Sequence, residues 1–443
     1  MCAYNIMYKE VKGILFLINV FFIFGKEYVI YLIYKDFPSF VERLALSLSS
    51  INILCVKIFQ AFALNNSLID EKTNNKLLQF TDNAPWDFSD INLGELIEIT
   101  DKYNLQLKVG YEIPINAGMI SVVFKAYKRV NSLEPVIIKM KRKNIQQKLD
   151  DAIDNLLFSM YLLSFIPIFN KYQISEVVNK NIEIIRHQTN FLEEVDNMAL
   201  IKKNCKHLKY VKIPSANRSV TESYPNCIIM DYIEGIKINQ IQKEDYEGFA
   251  KQIMKFGFVT SIVHGVTHGD LHGGNILFIK DKNDERYPYK IGVIDFGIIY
   301  ELESQYKGLV FEMLTQMFDS SPRDSAIKLL NSGIIDPPNI LQQIPKDDYE
   351  NIIAFTADII DETVNTSKKA NQIQIYKFIS KLKEYLSNSI LSKIGIRPSD
   401  NFVKTQLVLA MSHGITLTLC NDDFVGLADK VINELFHTNM MIE

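Results

Sequence analysis

Two short polar motifs constrain this chain more than any other feature of its sequence. The first is His268-Gly-Asp-Leu-His-Gly-Gly-Asn275, and the second is Ile294-Asp-Phe-Gly297. Between them, two apolar runs (residues 276–279 and 289–294) flank a polar turn, a pattern that predicts a β-hairpin. The hairpin would return the carboxylate of the second motif to the amide that ends the first. The chain is therefore expected to fold around a shared polar site.

The polar side chains of these motifs have the chemistry of a phosphoryl-transfer site. Asp270 is the candidate base that orients an acceptor hydroxyl. Asn275 and Asp295 carry oxygen atoms, which magnesium prefers as ligands, and they would hold Mg²⁺ against the phosphates of ATP. An Asp-Phe-Gly tripeptide alone is common by chance. The preceding Asp-x4-Asn element, with a predicted strand pair between the two, makes the combination specific.

A site of this kind also needs a strand-borne lysine that binds the α- and β-phosphates. Lys139 ends the apolar run that starts at Val136 and is the predicted lysine. Lys141 would lie on the same face of the strand and is the runner-up. The structural alternative is that Lys139 is an ordinary solvated strand lysine.

The lysine in turn needs a glutamate on a helix. We select Glu194 over Glu193, because Glu194 stands one helical turn before Asn197 and apolar residues flank it at helical spacing. A helix with many acidic residues usually displays them to water, so this assignment depends mainly on the family resemblance given below.

The glycine-rich loop that normally covers the phosphates is missing. The corresponding stretch, residues 114–125, contains a single glycine, Gly118. One glycine permits one close approach of the backbone and does not make a pliable lid.

Together these motifs resemble the UbiB family of atypical kinases, also called the aarF-domain or activity-of-bc-one-complex family. The family's catalytic loop, His-x-Asp-x-His-Pro-Gly-Asn, matches residues 268–275 except at Gly273, which replaces proline. The family's phosphate loop, Pro-Ile-Ala-Ala-Ala-Ser-Ile-Gly-Gln-Val, is matched at Pro114, Ile115, Ala117, Ile120 and Val123, and this chain departs from it at Asn116, Gly118, Met119, Ser121 and Val122. The family helix ending Glu-Ala-x-Asn matches Glu194-Val-Asp-Asn197, and an earlier family glutamate corresponds to Gln188.

The resemblance implies ATP and Mg²⁺ as cofactors. The phosphate loop would contact the nucleotide through Ala117, Gly118 and Val123, with Lys139 behind it. The adenine would bind the run Met230-Asp231-Tyr232-Ile233, whose backbone would act as a kinase hinge does. Because Gly118 moves the loop partway toward that of an ordinary kinase, we expect an altered nucleotide preference.

The family also carries a Lys-x-Gly-Gln motif in an N-terminal extension that lies over the site. Lys57-Ile-Phe-Gln60 is the corresponding segment, with Phe59 in place of glycine. Lys57 and Gln60 are therefore the predicted regulatory residues. If Lys57 normally pairs with the acid that Gln188 replaces, its anchoring here is weaker.

The order of predicted elements favours an α+β, bilobal, protein-kinase-like fold with the helical N-terminal extension packed over the active site. We expect the extension at residues 1–104, an N-lobe with inserted helices at 105–235, and a mainly helical C-lobe at 236–443. The predicted strands are Tyr111–Ile115, Ile120–Tyr127, Pro135–Met140, Tyr210–Ile213 and Cys227–Tyr232, the predicted helices are Gln146–Phe165 and Val177–Asn204, and nearly everything after Asn239 except the hairpin is predicted helical.

Composition limits the class of protein and its compartment. A net charge of −4 over 443 residues argues against a nucleic-acid binder. The five cysteines are scattered and form no C-x-x-C pair, so a reducing, intracellular compartment is expected. No clear mitochondrial transit peptide is present, because no arginine precedes Arg43.

The N-terminus contains two apolar runs, Gly13–Phe24 and Tyr28–Tyr34, separated by Lys26 and Glu27. Neither run reaches the roughly 20 residues that a membrane-spanning helix needs. We therefore expect a helix docked on the protein, with attachment to a membrane surface through residues 13–34 as the first alternative and a true membrane span as the second.

Three functions remain open at this point. The first is a UbiB-type ATPase or phosphotransferase linked to lipophilic small molecules, as in ubiquinone biosynthesis. The second is a catalytically weak nucleotide- or lipid-binding module. The third, a conventional protein kinase, is disfavoured, because no Ala-Pro-Glu follows Gly297 and because Gly269 replaces the arginine that senses activation-loop phosphorylation in many kinases.

Overall fold

The computed structural model of this protein describes residues 2–56, 84–107, 113–129, 134–163, 185–302 and 320–365, together with isolated positions up to residue 435. The helices with described bounds are α1 (Cys2–Tyr34), α2 (Phe37–Ile51), α3 (Leu93–Lys102), α4 (Ile145–Leu163), α5 (Phe191–Asn204), α6 (Arg218–Ser223), α7 (Tyr246–Phe258), α8 (Pro322–Leu330) and α9 (Lys346–Thr363). The strands are β1 (Leu105–Leu107), β2 (Asn116–Ala117), β3 (Ser121–Lys128), β4 (Pro135–Lys141), β5 (Val211–Lys212), β6 (Cys227–Asp231), β7 (Val266–His268), β8 (Ile276–Lys280), β9 (Tyr289–Val293), β10 (Ile299–Glu301), β11 (Ile335–Asp336), β12 (Val364–Asn365), β13 (Gln372–Ile373) and β14 (Arg397–Pro398).

The N-terminal extension begins with one continuous helix, α1. It continues through both apolar runs, because the polar pair Lys26 and Glu27 between them does not interrupt the helix. Glu27 is buried and accepts a hydrogen bond from Arg43 of α2 at 2.8 Å, which compensates its charge. The segment Val11–Tyr34, 24 residues with a mean hydropathy of 1.8, is long and apolar enough to cross a membrane by length and composition.

Helix α1 is docked along one side on α4. A Cβ atom added at Gly13 would lie 2.2 Å from the Phe158 ring, so the two helices approach closely at this glycine. Lys12 pairs with Asp151 at 3.3 Å beside this crossing. Aromatic side chains of α1 and α2 also pack together, with the rings of Tyr31 and Phe40 5.4 Å apart. The opposite side of α1 exposes large apolar side chains.

The N-lobe is built on a five-stranded antiparallel sheet in the order β1-β3-β4-β6, with β2 paired to β3. Alternation along β4 assigns its two faces. Ile138 and its neighbours at alternate positions pack into the core beneath α3, whereas Ile137 and Lys139 line the opposite face. The strand predicted at Tyr111–Ile115 was misplaced, because described residues 113–115 precede the strand and Pro114 has no N–H to donate to a ladder.

One of the inserted helices, α5, places two glutamates, Glu193 and Glu194, in its first turn next to this sheet. Helix α5 begins at Phe191, where Asn190 caps its N-terminus by accepting a hydrogen bond from the Glu193 N–H at 3.3 Å. Asn190 has extended backbone angles, so the single helix predicted from Val177 to Asn204 is interrupted there. Residues 164–181 lie outside the described part of the chain.

The C-lobe contains the predicted hairpin, which the structure confirms. Strands β8 and β9 pair in antiparallel register with Ile276 opposite Val293, and β5 joins β9 in parallel. Helix α7 packs against β9. The neighbouring strands β7 and β10 form a second, two-stranded sheet with His268 opposite Ile299.

The C-terminal part has its own apolar core around α8 and α9. The prediction that nearly everything after Asn239 except the hairpin is helical was wrong, because short strand pairs also form at β7–β10, β11–β14 and β12–β13. Each of these strands has only two or three residues, which is too short to give a period-two pattern. The whole is an α+β, bilobal, kinase-like fold with a helical N-terminal region. The predicted boundaries at residues 104 and 235 remain predictions.

Candidate active site

The cleft between the lobes contains a lysine held between two carboxylates. Lys139 Nζ lies 2.5 Å from Glu194 Oε1 and 3.1 Å from Asp295 Oδ2. The residues come from β4, from the first turn of α5 and from the segment after β9, so the contact joins the two lobes. Glu193, the rejected alternative, instead approaches the exposed side chains of Asn190 and His187.

The charges of this group depend on one another. Burial acts to raise the pKa of Asp295, but the Lys139 ammonium and the Gly297 N–H outweigh it and hold that pKa below its usual range. Burial acts to lower the pKa of Lys139, and the charges of Asp295 and Glu194 raise it above its usual value. For Glu194, burial dominates and raises the pKa. Glu194 is therefore the member of the group that takes up a proton first as pH falls.

The catalytic-loop motif is organised by a buried histidine. His268 Nδ1 accepts a hydrogen bond from the Asp270 N–H at 3.0 Å, and its Nε2 therefore donates to the carbonyl oxygen of Asp295. Burial lowers the pKa of His268, which favours this neutral form. One imidazole thus links the backbones of the two motifs, as expected for a structural rather than an acid–base histidine.

Asn275 is held in place by the same loop. Its side-chain Nδ2 donates to the backbone carbonyl oxygen of Asp270 at 3.0 Å. Its backbone carbonyl oxygen accepts a hydrogen bond from the Ile294 N–H at 3.1 Å. The second hydrogen bond joins the ends of the hairpin next to Asp295. Asp270, Asn275 and Asp295 all line one cavity, so the structure brings together the three residues that the motifs single out.

That cavity has a volume of about 290 Å³, near the lower end of the range for small-molecule sites. Every predicted nucleotide-contacting residue lines it: Ala117, Gly118, Val123, Lys139, Met230, Asp231, Tyr232 and Ile233. A Cβ atom at Gly118 would meet nothing closer than 3.8 Å, so space does not require the glycine. Lys57 and Gln60, predicted to lie over the site, fall outside the described residues.

Two lysines at the cleft, Lys125 and Lys237, were not predicted as site residues from the sequence. Tyr232 is covered by Lys125, whose Nζ lies 3.8 Å from its ring centroid, and both belong to the N-lobe side of the cleft. Lys237 lines the cavity and donates to the carbonyl oxygen of Gly274 at 3.0 Å. Their only sequence signal was proximity to the predicted hinge and loop. The runner-up Lys141 does not line the cavity and lies 5.1 Å from the Phe191 ring.

The oxygen donors suit a magnesium ion that is shared with phosphates. Among the described residues, no group of three His, Cys, Asp or Glu side chains is placed to hold a metal by itself. Asn275 and Asp295 offer an amide oxygen and a carboxylate, and Mg²⁺ is commonly held by one or two carboxylates together with substrate phosphates. The donor set therefore fits Mg²⁺ bound with a nucleotide rather than a protein-only metal site.

The two-lobed fold and this cleft define a kinase-like protein. The sequence model described as the ABC1 atypical kinase-like domain matches residues 98–326, and the chain belongs to this family. The matched region contains the lysine, the glutamate and both polar motifs described above. The family expectation drawn from those motifs is confirmed.

The chain is also similar to individual curated proteins, at about one quarter identity. The chain is 25% identical over 305 residues to Protein ACTIVITY OF BC1 COMPLEX KINASE 8, chloroplastic, of Arabidopsis thaliana, a match covering 65% of this chain and 38% of the relative. It is also 25% identical over 302 residues to Probable protein kinase UbiB of Blochmanniella pennsylvanica, covering 66% and 54%. The matches thus span about half of these relatives or less. Among solved structures, the Rv3197–erythromycin complex from Mycobacterium tuberculosis aligns with 91% of this chain and 99% of that chain, at 16% identity and a TM-score of 0.41.

Proposed function

We propose that this protein is a Mg²⁺-dependent, ATP-binding enzyme of the UbiB type, acting as an ATPase or a phosphotransferase. The observation that carries the proposal is the buried ammonium of Lys139 held between Glu194 and Asp295 at the wall of the cavity between the lobes. A lysine fixed by a helix glutamate in this way is the arrangement that kinases use to bind the α- and β-phosphates. A simple binding module would not need the polar residues of the catalytic loop as well.

Each residue has a defined role in the proposed reaction. Asn275 and Asp295 would hold Mg²⁺, which neutralises phosphate charge when it is bound. Asp270 orients the attacking hydroxyl or water and accepts its proton. The attacking oxygen then bonds to the γ-phosphorus while the bond to the β–γ bridging oxygen breaks, which releases ADP. Lys139 neutralises the α- and β-phosphates and Glu194 holds the lysine in position.

We propose that the acceptor is water or a small molecule and not a peptide bound along an activation segment. Directly after Gly297 the chain pairs back onto the strand that leads into the catalytic loop, with Gly269 N–H donating to Ile298 O at 2.9 Å. A Cβ atom at Gly269 would lie 2.5 Å from Ile298 Cγ2, so the arginine of conventional kinases does not fit here. This closed segment favours a small acceptor or water over a docked peptide.

We further propose that the acceptor or bound partner is a lipophilic small molecule at a membrane surface. The supporting features are the UbiB-type relatives and the exposed apolar side of α1 within residues 13–34. The proposed compartment is intracellular and reducing. We also propose a link to isoprenoid-quinone metabolism, and its only support is the similarity to UbiB-type relatives. We keep Lys57 and Gln60 as proposed regulatory residues of the extension.

Phosphate release by the purified protein tests the proposal. With Mg²⁺ and ATP, the wild-type protein and an Asp196→Asn variant are expected to release phosphate, because Asp196 pairs with Arg218 on the surface, away from the cavity. Asp270→Asn and Asp295→Asn are expected to lose at least about hundredfold in rate, the cost typical of removing a general base or a positioned charge. Release that is equal in all four proteins contradicts the proposal. Absent release from the wild type excludes the ATPase, and absent binding of ATP as well excludes the phosphotransferase. Transfer of label to generic peptides would instead indicate a protein kinase.

A further inference from the structure

A buried arginine joins the phosphate loop to the N-terminal extension. Arg142 directly follows β4 and is 6% exposed. Its Nε donates to the Gly118 carbonyl oxygen at 3.0 Å, and its Nη1 donates to the Pro85 carbonyl oxygen at 2.8 Å. Gly118 belongs to the phosphate loop and Pro85 to the extension. One guanidinium therefore holds two segments that are distant in the sequence.

The guanidinium is itself fixed by an acid. Nη1 pairs with Asp90 Oδ2 at 2.8 Å, and Lys148 of α4 binds the other carboxylate oxygen of Asp90 at 2.7 Å. The Lys143 N–H also donates to the Asp90 carbonyl oxygen at 2.7 Å. Asp90 and Arg142 are both buried, so their ion pair is shielded from water, whereas Lys148 is half exposed. Arg142 Nη2 is buried and has no hydrogen-bond partner among the described residues.

Backbone contacts tie the same segments together around Arg142. Its own N–H donates to the Ile120 carbonyl oxygen at 2.8 Å. The Ala84 N–H of the extension donates to the Ala117 carbonyl oxygen of the loop at 2.7 Å. Beneath these bonds, the side chains of Val56, Ala84, Met119, Ile120 and Ile145 form a small apolar cluster. The phosphate loop is thus held from outside the cavity by the extension.

From this geometry we infer that Arg142 is a positioning residue that sets the phosphate loop as a fixed wall for the nucleotide phosphates. It does not line the cavity itself and acts through Gly118, which does. A glycine-rich loop gains its phosphate contacts by closing on the nucleotide, whereas this loop is held in advance by a charged anchor. The extension that bears Pro85 and Ala84 thereby becomes part of the phosphate-binding apparatus. The inference deepens the proposed function and rests on it for the identity of the ligand.

Loss of the Arg142 anchor is expected to weaken the binding of the phosphates and not that of the adenine. Freeing the loop removes preorganised contacts to the triphosphate, whereas the adenine run at residues 230–233 belongs to β6 and the segment after it, which Arg142 does not touch. Arg142→Met is therefore expected to weaken ATP binding about tenfold, the factor that corresponds to one hydrogen bond to a charged group, and to leave adenosine binding unchanged. Arg142→Lys, which keeps the charge but not the fork of donors, is expected to give the same selective loss.

The experiment measures equilibrium binding of ATP and of adenosine, and amide hydrogen exchange across residues 84–90 and 114–121, in the full chain. Arg129→Met is the matched control, because Arg129 forms an exposed ion pair with Asp101 in the same lobe. Faster exchange at Ala84 and Gly118 in both Arg142 variants, with a loss confined to ATP, supports the inference. Unchanged exchange, or equal weakening of ATP and adenosine, overturns it. If the wild type binds neither ligand, the proposed function fails while the exchange data still decide the role of Arg142.

If Arg142→Met does not fold, a second variant tests the same inference. The double variant Arg142→Met/Asp90→Leu removes both buried charges together, and such replacements by apolar groups are often tolerated. It is expected to fold, to show the faster exchange of the loop and to lose ATP affinity selectively. ATP affinity and loop exchange equal to those of the wild type would overturn the inference.

Discussion

At the scale of single residues, the site depends on one cation that balances two acids. Lys139 contacts Glu194 and Asp295 together, and the raised pKa of Glu194 shows how strongly burial opposes charge there. Breaking a buried pair by removing one partner is far more costly than replacing both, because an uncompensated charge remains. In the proposed function, the lysine therefore both binds the nucleotide and stabilises the interface between the lobes.

Replacing Lys139 by methionine tests this dual role. We expect phosphate release to fall at least about hundredfold, since a positioned charge is lost, and the free energy of unfolding to fall by about 3–5 kcal/mol, since Glu194 stays buried without its partner. Lys141→Met is the matched control, because Lys141 stands on the same strand face but outside the cavity. Rate assays and denaturant unfolding of both variants measure the effects. Similar losses in the two variants would show that Lys139 does not have the special role proposed for it.

The buried histidine of the catalytic loop gives a pH signature. The pKa of His268 lies below its ordinary value of 6.5, so the unfolded chain binds a proton that the folded chain refuses. His268 therefore contributes to stability above about pH 6.5, and this contribution is lost as the pH falls toward its folded-state pKa. Unfolding free energies measured from pH 7.5 to 5 should decrease more steeply in the wild type than in His268→Gln. Equal slopes in the two proteins would show that His268 titrates normally.

The residue scale also shows what a sequence can reveal. Asp270, Asn275, Asp295 and Lys139 could be identified because chemistry restricts both their types and their spacing. Arg142 could not, since it stands in a basic run with Lys141 and Lys143, and its partners are 24, 57 and 52 residues away in the sequence. Nothing local distinguishes a buried arginine from an exposed one.

At the scale of elements, the catalytic loop is set by two glycines with different constraints. Gly269 has no room for a Cβ atom, as noted above. Gly273 has a negative φ, and a Cβ atom there would lie 3.3 Å from Ile238 Cγ2, a contact that a shift of a few tenths of an ångström relieves. Gly273 begins a 3₁₀ turn, a position where proline is favoured, and the preceding His272 already has the extended angles that proline requires. The first glycine is required by packing and the second is not.

Restoring the family proline should therefore stabilise the protein. Gly273→Pro is expected to raise the free energy of unfolding by about 0.4–1 kcal/mol, because it restricts the unfolded chain. Gly269→Ala is expected to lower it by about 1–3 kcal/mol through overpacking against Ile298. Denaturant titrations of both variants measure the difference. A destabilising proline with an intact fold would mean that the loop at Gly273 departs from the geometry described here.

Element boundaries were the weaker part of the sequence-based expectations. The long strands β3 and β4 and the hairpin β8–β9 could be located, because they combine periodicity with clear turn residues. The start of β2 and the short strands after the hairpin could not, because their pairing is decided by tertiary contacts. Asn190 shows the same effect in a helix, where a single capping side chain ends one helical segment and begins another.

At the scale of the whole molecule, α1 is the feature that the fold leaves without a covering layer among the described residues. Its docked side is fixed by Gly13 and Lys12, while its other side exposes a run of large apolar side chains that includes Phe21 and Phe22. Exposed apolar side chains along one side of a helix are typical of an interaction site, which supports the proposed membrane attachment. In the sequence, Glu27 divides the apolar segment, but Arg43 compensates its charge, so the helix and its exposed apolar side continue past it.

Charges placed on this surface test its attachment to membranes. The double variant Phe21→Asp/Phe22→Asp is expected to bind phosphatidylcholine vesicles at least about tenfold more weakly than the wild type, because two apolar side chains are lost from the interface. Phe88→Asp is the control, since Phe88 is 68% exposed, close to the 69% and 70% of the tested pair, and lies outside α1. Cosedimentation with vesicles gives the affinities. Equal binding by all three proteins would remove the membrane proposal and leave the nucleotide site untouched.

The central claim is that Asp295 and Asn275 share a magnesium ion with a nucleotide opposite Lys139. Equilibrium titration of the wild type and of Asp295→Asn with ATP, each in Mg²⁺ and in EDTA, tests it most directly. We predict that Mg²⁺ strengthens ATP binding to the wild type and that this gain is absent from Asp295→Asn. ATP affinity that is independent of Mg²⁺ in the wild type, or an equal gain in both proteins, would contradict the account.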